Sequence, residues 1–358
     1  MKEDISFSKE DTLMLKGIAI CMMLFHHLFG FPERIPNEIL DISLMGENLS
    51  YYLASFFKLC VMIYVFLGGY GNYHTFSYCK SMRQTIWCLI GRIKKLYINY
   101  WKVFLIFIPL LYIFNYYVVD LGTFFKGFVG ISHTYNSEWW FFFPYVVVVC
   151  LYAVGFNFFS IKGKGKRILI EPIIICVWGY YWNSLKLILE SSIDFIIVLI
   201  IISGLNFMPA FLCGAFFAKY DLLSKIKNIL KKFKCNYLLI VFGMLSLIWI
   251  RYNIGDGYDW MMATVFIIVI LPITLMRENN PLSKILVRLG KESMTMWLIH
   301  TFFCYQFFKN EIYFTRIPIL IFFVLLIISY VSSVLIRKLW EEINKSVEKF
   351  RPKLRKII

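Results

Sequence analysis

Apolar runs long enough to cross a bilayer recur along the whole chain, and they limit its fold more than any other feature. About 20 consecutive apolar residues span the hydrocarbon core as a helix. Runs such as YLLIVFGMLSLIWI are continuous, whereas a transmembrane β-barrel would alternate polar and apolar residues over about ten positions. Of the 358 residues, 59% are hydrophobic and 17% charged, against about 25% charged in a typical soluble domain. The expected fold class is therefore all-α: a polytopic integral membrane protein. Ten spans are expected, near 13–31, 53–76, 97–118, 139–159, 168–183, 206–219, 236–254, 259–276, 294–309 and 315–336. The apolar stretch 193–205 either extends the sixth span or folds back as a re-entrant segment.

The connections between spans alternate in charge. Counting Lys and Arg against Asp and Glu, segments 77–96, 160–167, 219–235, 277–293 and 337–358 carry +5, +4, +5, +2 and +5. The intervening segments 32–52, 119–138, 184–205, 251–258 and 310–314 carry −3, −1, −1, 0 and −1. Basic connections stay in the cytoplasm, so both termini are expected there, N-in and C-in. The net charge of +16 thus reads as topology, and nucleic acid is not an expected partner. The chain divides into a transmembrane domain, 1–336, and a basic amphipathic tail, 337–358, which is expected to continue the last helix along the inner membrane surface. The charged first twelve residues and the missing small-residue cleavage site argue against a cleaved signal peptide. The nine cysteines are scattered without a C-x-x-C. They read as small apolar packing residues, and no metal is expected.

Ionisable residues inside a membrane cost about 2.5–3.5 kcal/mol each at its centre and mark functional positions. The first span, MLKGIAICMMLFHHLF, has Lys16 near one end and His26 and His27 near the other. At about 100° per residue, eleven residues bring Lys16 and His27 to within about 20° of one face, about 16 Å apart along the axis. His26 points about 100° away and is expected to support packing. A neutral imidazole is a competent general base near neutral pH. Lys16 suits either snorkelling to the cytoplasmic interface or contact with an anionic ligand. Before the fourth span, NSEWWFFFPY places Glu138 beside Trp139 and Trp140, with His133 five residues upstream. The tryptophans suit an interfacial belt or stacking on a sugar ring. His300 lies inside the ninth span, suited to an interhelical hydrogen bond or to the site.

Several stretches resemble one family in order. LKGIAICMMLFHHLF resembles the first helix of the membrane acyltransferase-3 family, with its Arg-x10-His pattern; Lys16 stands at the arginine position and His27 at the histidine. FFKLCVMIYVFLGGYG resembles its second helix, with Gly68 where serine is usual. GRIKKLYINYW is similar to its basic segment, Arg92 matching and Lys95 replacing a second arginine. NSEWWFF, MPAFLCGAFFAKYDLL and LGKESMTMWLIHTFF follow, the last close to the C-terminal signature containing His300. The resemblance runs from about 11 to 305. It implies acyl transfer from cytosolic acetyl-CoA to a hydroxyl of a cell-envelope polysaccharide, such as a capsule or exopolysaccharide, or its lipid-linked precursor, in a bacterial plasma membrane.

On that reading His27 and Glu138 are the catalytic residues, His27 as base or transient acyl carrier. Lys16, Arg92 and Lys95 meet the phosphates of acetyl-CoA. Trp139, Trp140 and His300 line the acceptor. Membrane lipid and a carbohydrate acceptor are the expected partners, and the oligomeric state stays open. Two rivals are a transporter or flippase, which should show repeated halves, and a polysaccharide polymerase, which should have a long basic outer loop. The chain displays neither feature.

Overall fold

The computed structural model describes residues 6–36, 38–44, 47–159, 164–192, 196–232, 237–275 and 280–354. It is helical apart from one small hairpin. The long elements are α1 (Lys9–Phe29), α2 (Leu49–Phe57), α3 (Cys60–Phe76), α4 (Met82–Ile113), α5 (Leu121–Val129), α6 (Phe142–Phe159), α7 (Lys164–Ser192) and α8 (Ile196–Lys219). They continue as α9 (Leu222–Lys232), α10 (Tyr237–Ile254), α11 (Asp259–Ile270), α12 (Pro272–Leu275), α13 (Pro281–Thr301), α14 (Lys309–Tyr313) and α15 (Pro318–Leu354). The hairpin pairs β1 (Ser43–Leu44) antiparallel with β2 (Glu47–Asn48).

Each expected span falls on helix, but several differ in extent. Among the described residues seven helical stretches are long and apolar enough to cross a membrane: Lys9–Phe29, Leu49–Phe76, Met82–Ile113, Ser137–Phe156, Val198–Lys219, Asp256–Leu275 and Pro318–Glu348. A shorter apolar helix covers Leu238–Ile254. The regions expected as fifth and ninth spans are helical in α7 and α13. The charges of α13, including Lys284, Arg288, Lys291 and Glu292, lower its apolarity. The sixth span reaches back to Ile196, so the 193–205 stretch extends that helix; 193–195 lie outside the described residues. The second span breaks at Lys58 and Leu59, and the fourth opens with a 3-10 turn, Ser137–Phe141. Helix α15 runs unbroken through position 336 into the basic tail, of which 355–358 lie outside the described residues.

Two helix pairs cross with their backbones in contact. A Cβ on Gly17 of α1 would collide with the Leu286 carbonyl of α13, and one on Gly290 of α13 with the Leu13 carbonyl of α1. The same reciprocity ties α3 to α8: Gly69 faces the Phe211 carbonyl, and Gly214 the Phe66 carbonyl. In lipid there is no hydrophobic drive between helices, so close van der Waals approach over small residues supplies the association. These glycines sit mid-helix, where glycine costs about 1 kcal/mol against alanine; the close crossing accounts for them.

The first helix is well delimited. Ser8 and Asp11 form a capping box, the Ser8 hydroxyl accepting from Asp11 N at 3.1 Å and the Asp11 carboxylate from Ser8 N at 2.8 Å. Asp11 also pairs with Lys227 of α9 at 2.6 Å, both buried. At the other end Gly30 follows Phe29, and Pro32 opens a 3-10 turn, Pro32–Arg34. Proline at the first position of a helical turn gives up no hydrogen bond. The chain thus turns sharply just after the two histidines.

Candidate active site

The last carbonyls of α1 need partners, because a helix C-terminus leaves four unpaired. The Gly30 amide donates to His26 O at 2.7 Å. Tyr305 and Tyr313 supply the next two, their hydroxyls donating to His27 O at 2.6 Å and Leu28 O at 2.7 Å. Tyr305 lies in a π-helical stretch, Phe302–Phe307, which continues α13. Such wider turns re-aim side chains and recur at functional sites.

A second anchor places Glu138. The Asn136 side chain caps the 3-10 turn, its Oδ1 accepting from Glu138 N at 3.0 Å, while its Nδ2 donates to Thr301 Oγ1 at 2.6 Å. The Trp139 indole donates to Leu298 O at 3.1 Å. Both bonds tie the turn to α13, the helix that carries His300. They hold the buried Glu138 carboxylate toward the end of α1.

There three groups meet. His27 Nδ1 lies 3.6 Å from Glu138 Oε2. Arg34 donates to the other carboxylate oxygen, Oε1, at 3.1 Å, and Ser137 Oγ donates to the same oxygen at 3.0 Å. The Arg34 guanidinium lies over the Phe31 ring at 4.1 Å and the Tyr305 ring at 4.8 Å, both to the ring centroid. Burial opposes its charge, but Tyr305 and Glu138 favour it more, so Arg34 is held above its ordinary value. The carboxylate is thus compensated by a permanent cation on one side and faces an imidazole on the other. A base oriented by a carboxylate is the arrangement that acyl-transfer sites use.

The other imidazoles have distinct roles. His300 is fully buried, its ring 5.0 Å from that of His27. Its Nδ1 lies 2.7 Å from Trp297 O, which makes Nδ1 the donor and leaves Nε2 without a partner. His26 lies 2.8 Å from Ala54 O through Nδ1, as a packing contact would have it, but it also lines the cavity. Gly30 makes room for it: a Cβ there would strike the His26 ring. His133 is exposed.

His27, Glu138 and His26 open onto a cavity of about 460 Å³. Its walls include Phe31, Trp140, Phe141 and Trp297, and, from α7, α8 and α11, Trp182, Ser203, Asn206 and Trp260. Of the adjacent tryptophans, only Trp140 lines it. Trp139 is buried among Tyr100, Phe104 and Phe302, because its indole turns to Leu298. The aromatic wall expected of both residues therefore comes from Trp140 together with tryptophans far away in sequence.

Lys16, Arg92 and Lys95 form a separate group toward the other end of α1. Lys16 lies within electrostatic reach of both other cations, Arg92 bonds the Thr75 hydroxyl, and Lys95 is exposed. Among the described residues no carboxylate pairs with any of the three.

Sequence reasoning did not single out Arg34, Tyr305, Asn136, Trp182, Asn206 or Trp260. One signal was available for Arg34, as the lone cation in the otherwise acidic segment 32–52. No curated protein and no solved structure matches the chain. A family model described as an acyltransferase domain matches residues 14–338, a range that holds the His27–Glu138 pair, Arg34, His300 and the cationic group. The chain belongs to the membrane acyltransferase-3 family.

Proposed function

We propose that this membrane acyltransferase moves an acetyl group from cytosolic acetyl-CoA to a hydroxyl of a cell-envelope carbohydrate or its lipid-linked precursor. The observation that carries the reading is the His27–Glu138 pair at the cavity wall, with Arg34 paired to the same carboxylate. With Nδ1 turned toward the carboxylate at 3.6 Å, Nε2 of His27 is the nitrogen left for chemistry. In direct transfer, it takes the proton of the acceptor hydroxyl as that oxygen attacks the thioester carbonyl. The C–S bond breaks, and the departing thiolate of CoA recovers the proton from the imidazolium. In the two-step variant Nε2 attacks the thioester carbonyl, the C–S bond breaks and CoA leaves as the thiolate. The acceptor hydroxyl then attacks the acyl-imidazolium, the C–N bond breaks to restore the neutral imidazole, and the hydroxyl's proton neutralises the thiolate. Glu138 orients the ring in both.

The basic connections lie on the cytoplasmic side in this reading. Lys16, Arg92 and Lys95 then stand where the donor arrives, three cations without carboxylate partners that suit its phosphates. Their separation from His27, about 16 Å along α1, suits an extended pantetheine arm. The protein sits in the bacterial plasma membrane, with the cavity toward its outer leaflet.

The test uses membranes containing the full-length protein and acetyl-CoA radiolabelled in the acetyl group. Alkali-labile label should appear on glycan with the wild-type protein and disappear with His27→Ala at equal expression. Label that persists in His27→Ala removes this histidine from the reaction. A transporter or a polymerase would transfer no label at all.

A further inference from the structure

The part of the cavity wall built by α7, α8 and α11 has a chemistry of its own. Ser203 and Asn206 both belong to Val198–Lys219, one of the apolar membrane-crossing stretches, and both line the cavity. They are three residues apart and so share a helix face. Neither side chain makes a hydrogen bond among the described residues. An amide and a hydroxyl in a membrane helix are costly when nothing binds them. Packing does not require them, since they border empty space. The rings of Trp140, Trp182 and Trp260 line the same cavity.

The carboxylates of this cavity, by contrast, are all neutralised. Glu138 is held by Arg34 at 3.1 Å, Asp259 by Arg251 at 2.8 Å, and Asp256 by Lys58 at 2.6 Å. A charged ligand would have to compete with these pairs for its counter-charge and would recover little of its desolvation cost. An uncharged sugar fits instead. Its C–H faces suit flat aromatic walls, and its hydroxyls suit an amide that both donates and accepts.

We propose that the α7–α8–α11 wall is the acceptor subsite, that it takes a neutral sugar ring, and that Asn206 and Ser203 set its specificity. The proposal rests on the acyl-transfer reading and deepens it. His27 and Glu138 do the chemistry. Asn206 and Ser203 hold the hydroxyl-bearing ring.

The test separates binding from transfer. Purified full-length protein in detergent is titrated with radiolabelled methyl glycosides of glucose, galactose, mannose and rhamnose, and with the methyl glycosides of glucuronic and galacturonic acid. At least one neutral glycoside should bind, and each uronide more weakly than it. Asn206→Leu should weaken that binding by about tenfold, the loss of one or two hydrogen bonds, and Ser203→Ala by less. Both should raise the sugar KM and leave the acetyl-CoA KM unchanged. His27→Ala should bind the glycoside normally and transfer nothing. Tighter binding of a uronide, or unchanged binding and sugar KM in both Asn206→Leu and Ser203→Ala, overturns the subsite. Normal glycoside binding with no acetyl transfer by the wild-type protein would instead overturn the acyl-transfer reading and leave the subsite standing.

Discussion

His27 and Glu138 face each other across 3.6 Å, close enough for an ion pair and slightly long for a hydrogen bond. Catalytic contacts often tighten only once substrate is bound. His27→Ala should lower acetyl transfer by at least about 100-fold, the usual contribution of a general base. Glu138→Gln keeps the shape and removes the charge that orients the ring. It should cost about tenfold or more in kcat, with little change in either KM. Steady-state rates on purified protein check both.

Arg34 joins Glu138 to the rings of Phe31 and Tyr305. Lysine carries the charge but neither the planar fork nor the stacking surface. Arg34→Lys should therefore lose about tenfold in rate, because the carboxylate is less firmly placed. With its ionisation held above the ordinary value, the stability the pair adds is complete below that range and fades only as pH rises through it. The Arg34→Lys defect should accordingly be the same at pH 6 and pH 9. A defect confined to one end of that range would show that Arg34 is not the permanent charge described.

Lys16 has two competing explanations that one pair of variants separates. As a phosphate contact it acts as a point charge. Lys16→Ala should then raise the acetyl-CoA KM by about tenfold while the sugar KM stays fixed, and Lys16→Arg should restore it. An unchanged KM in Lys16→Ala leaves snorkelling as its whole role.

Glycine substitutions should divide sharply by position. Gly290→Ala and Gly17→Ala drive a Cβ into a neighbouring backbone and should cost about 1–3 kcal/mol, the scale of overpacking. Gly91→Ala, in α4 with nothing within 4 Å, should be neutral or stabilising by up to about 1 kcal/mol. Thermal unfolding in detergent, followed by the loss of monodisperse protein, should show lower midpoints for the first two only.

The legible parts of this molecule were those governed by periodicity and cost. Apolar runs marked the helices, and the expense of an imidazole in lipid marked His27. The carboxylate of Glu138, abutting an apolar run, was visible for the same reason. What escaped depended on contacts between distant segments. Arg34 counted only as one charge in a loop, since its value comes from a turn at Gly30 and Pro32 and from a carboxylate 104 positions away. Trp139 and Trp140 are adjacent, and their different surroundings follow from one bond to Leu298 on α13. The π-helical stretch at Phe302–Phe307 leaves no mark on hydropathy, because the run stays largely apolar through it. The break at Lys58 and Leu59 is marked only by one lysine inside an otherwise apolar run.

The glycine crossing of α1 with α13 also constrains traffic. With backbone laid on backbone at Gly17 and Gly290, that seam is sealed, and a pantetheine-sized thread cannot pass between the two helices. His27 and His300 ride on this closed pair as if on a single beam. A donor that moved along α1 from Lys16 to His27, as proposed above, would have to follow another flank of the helix. On the flank toward α3 the Tyr64 hydroxyl donates to the Lys16 carbonyl at 3.1 Å, so a tyrosine stands beside the cation where such a path would begin.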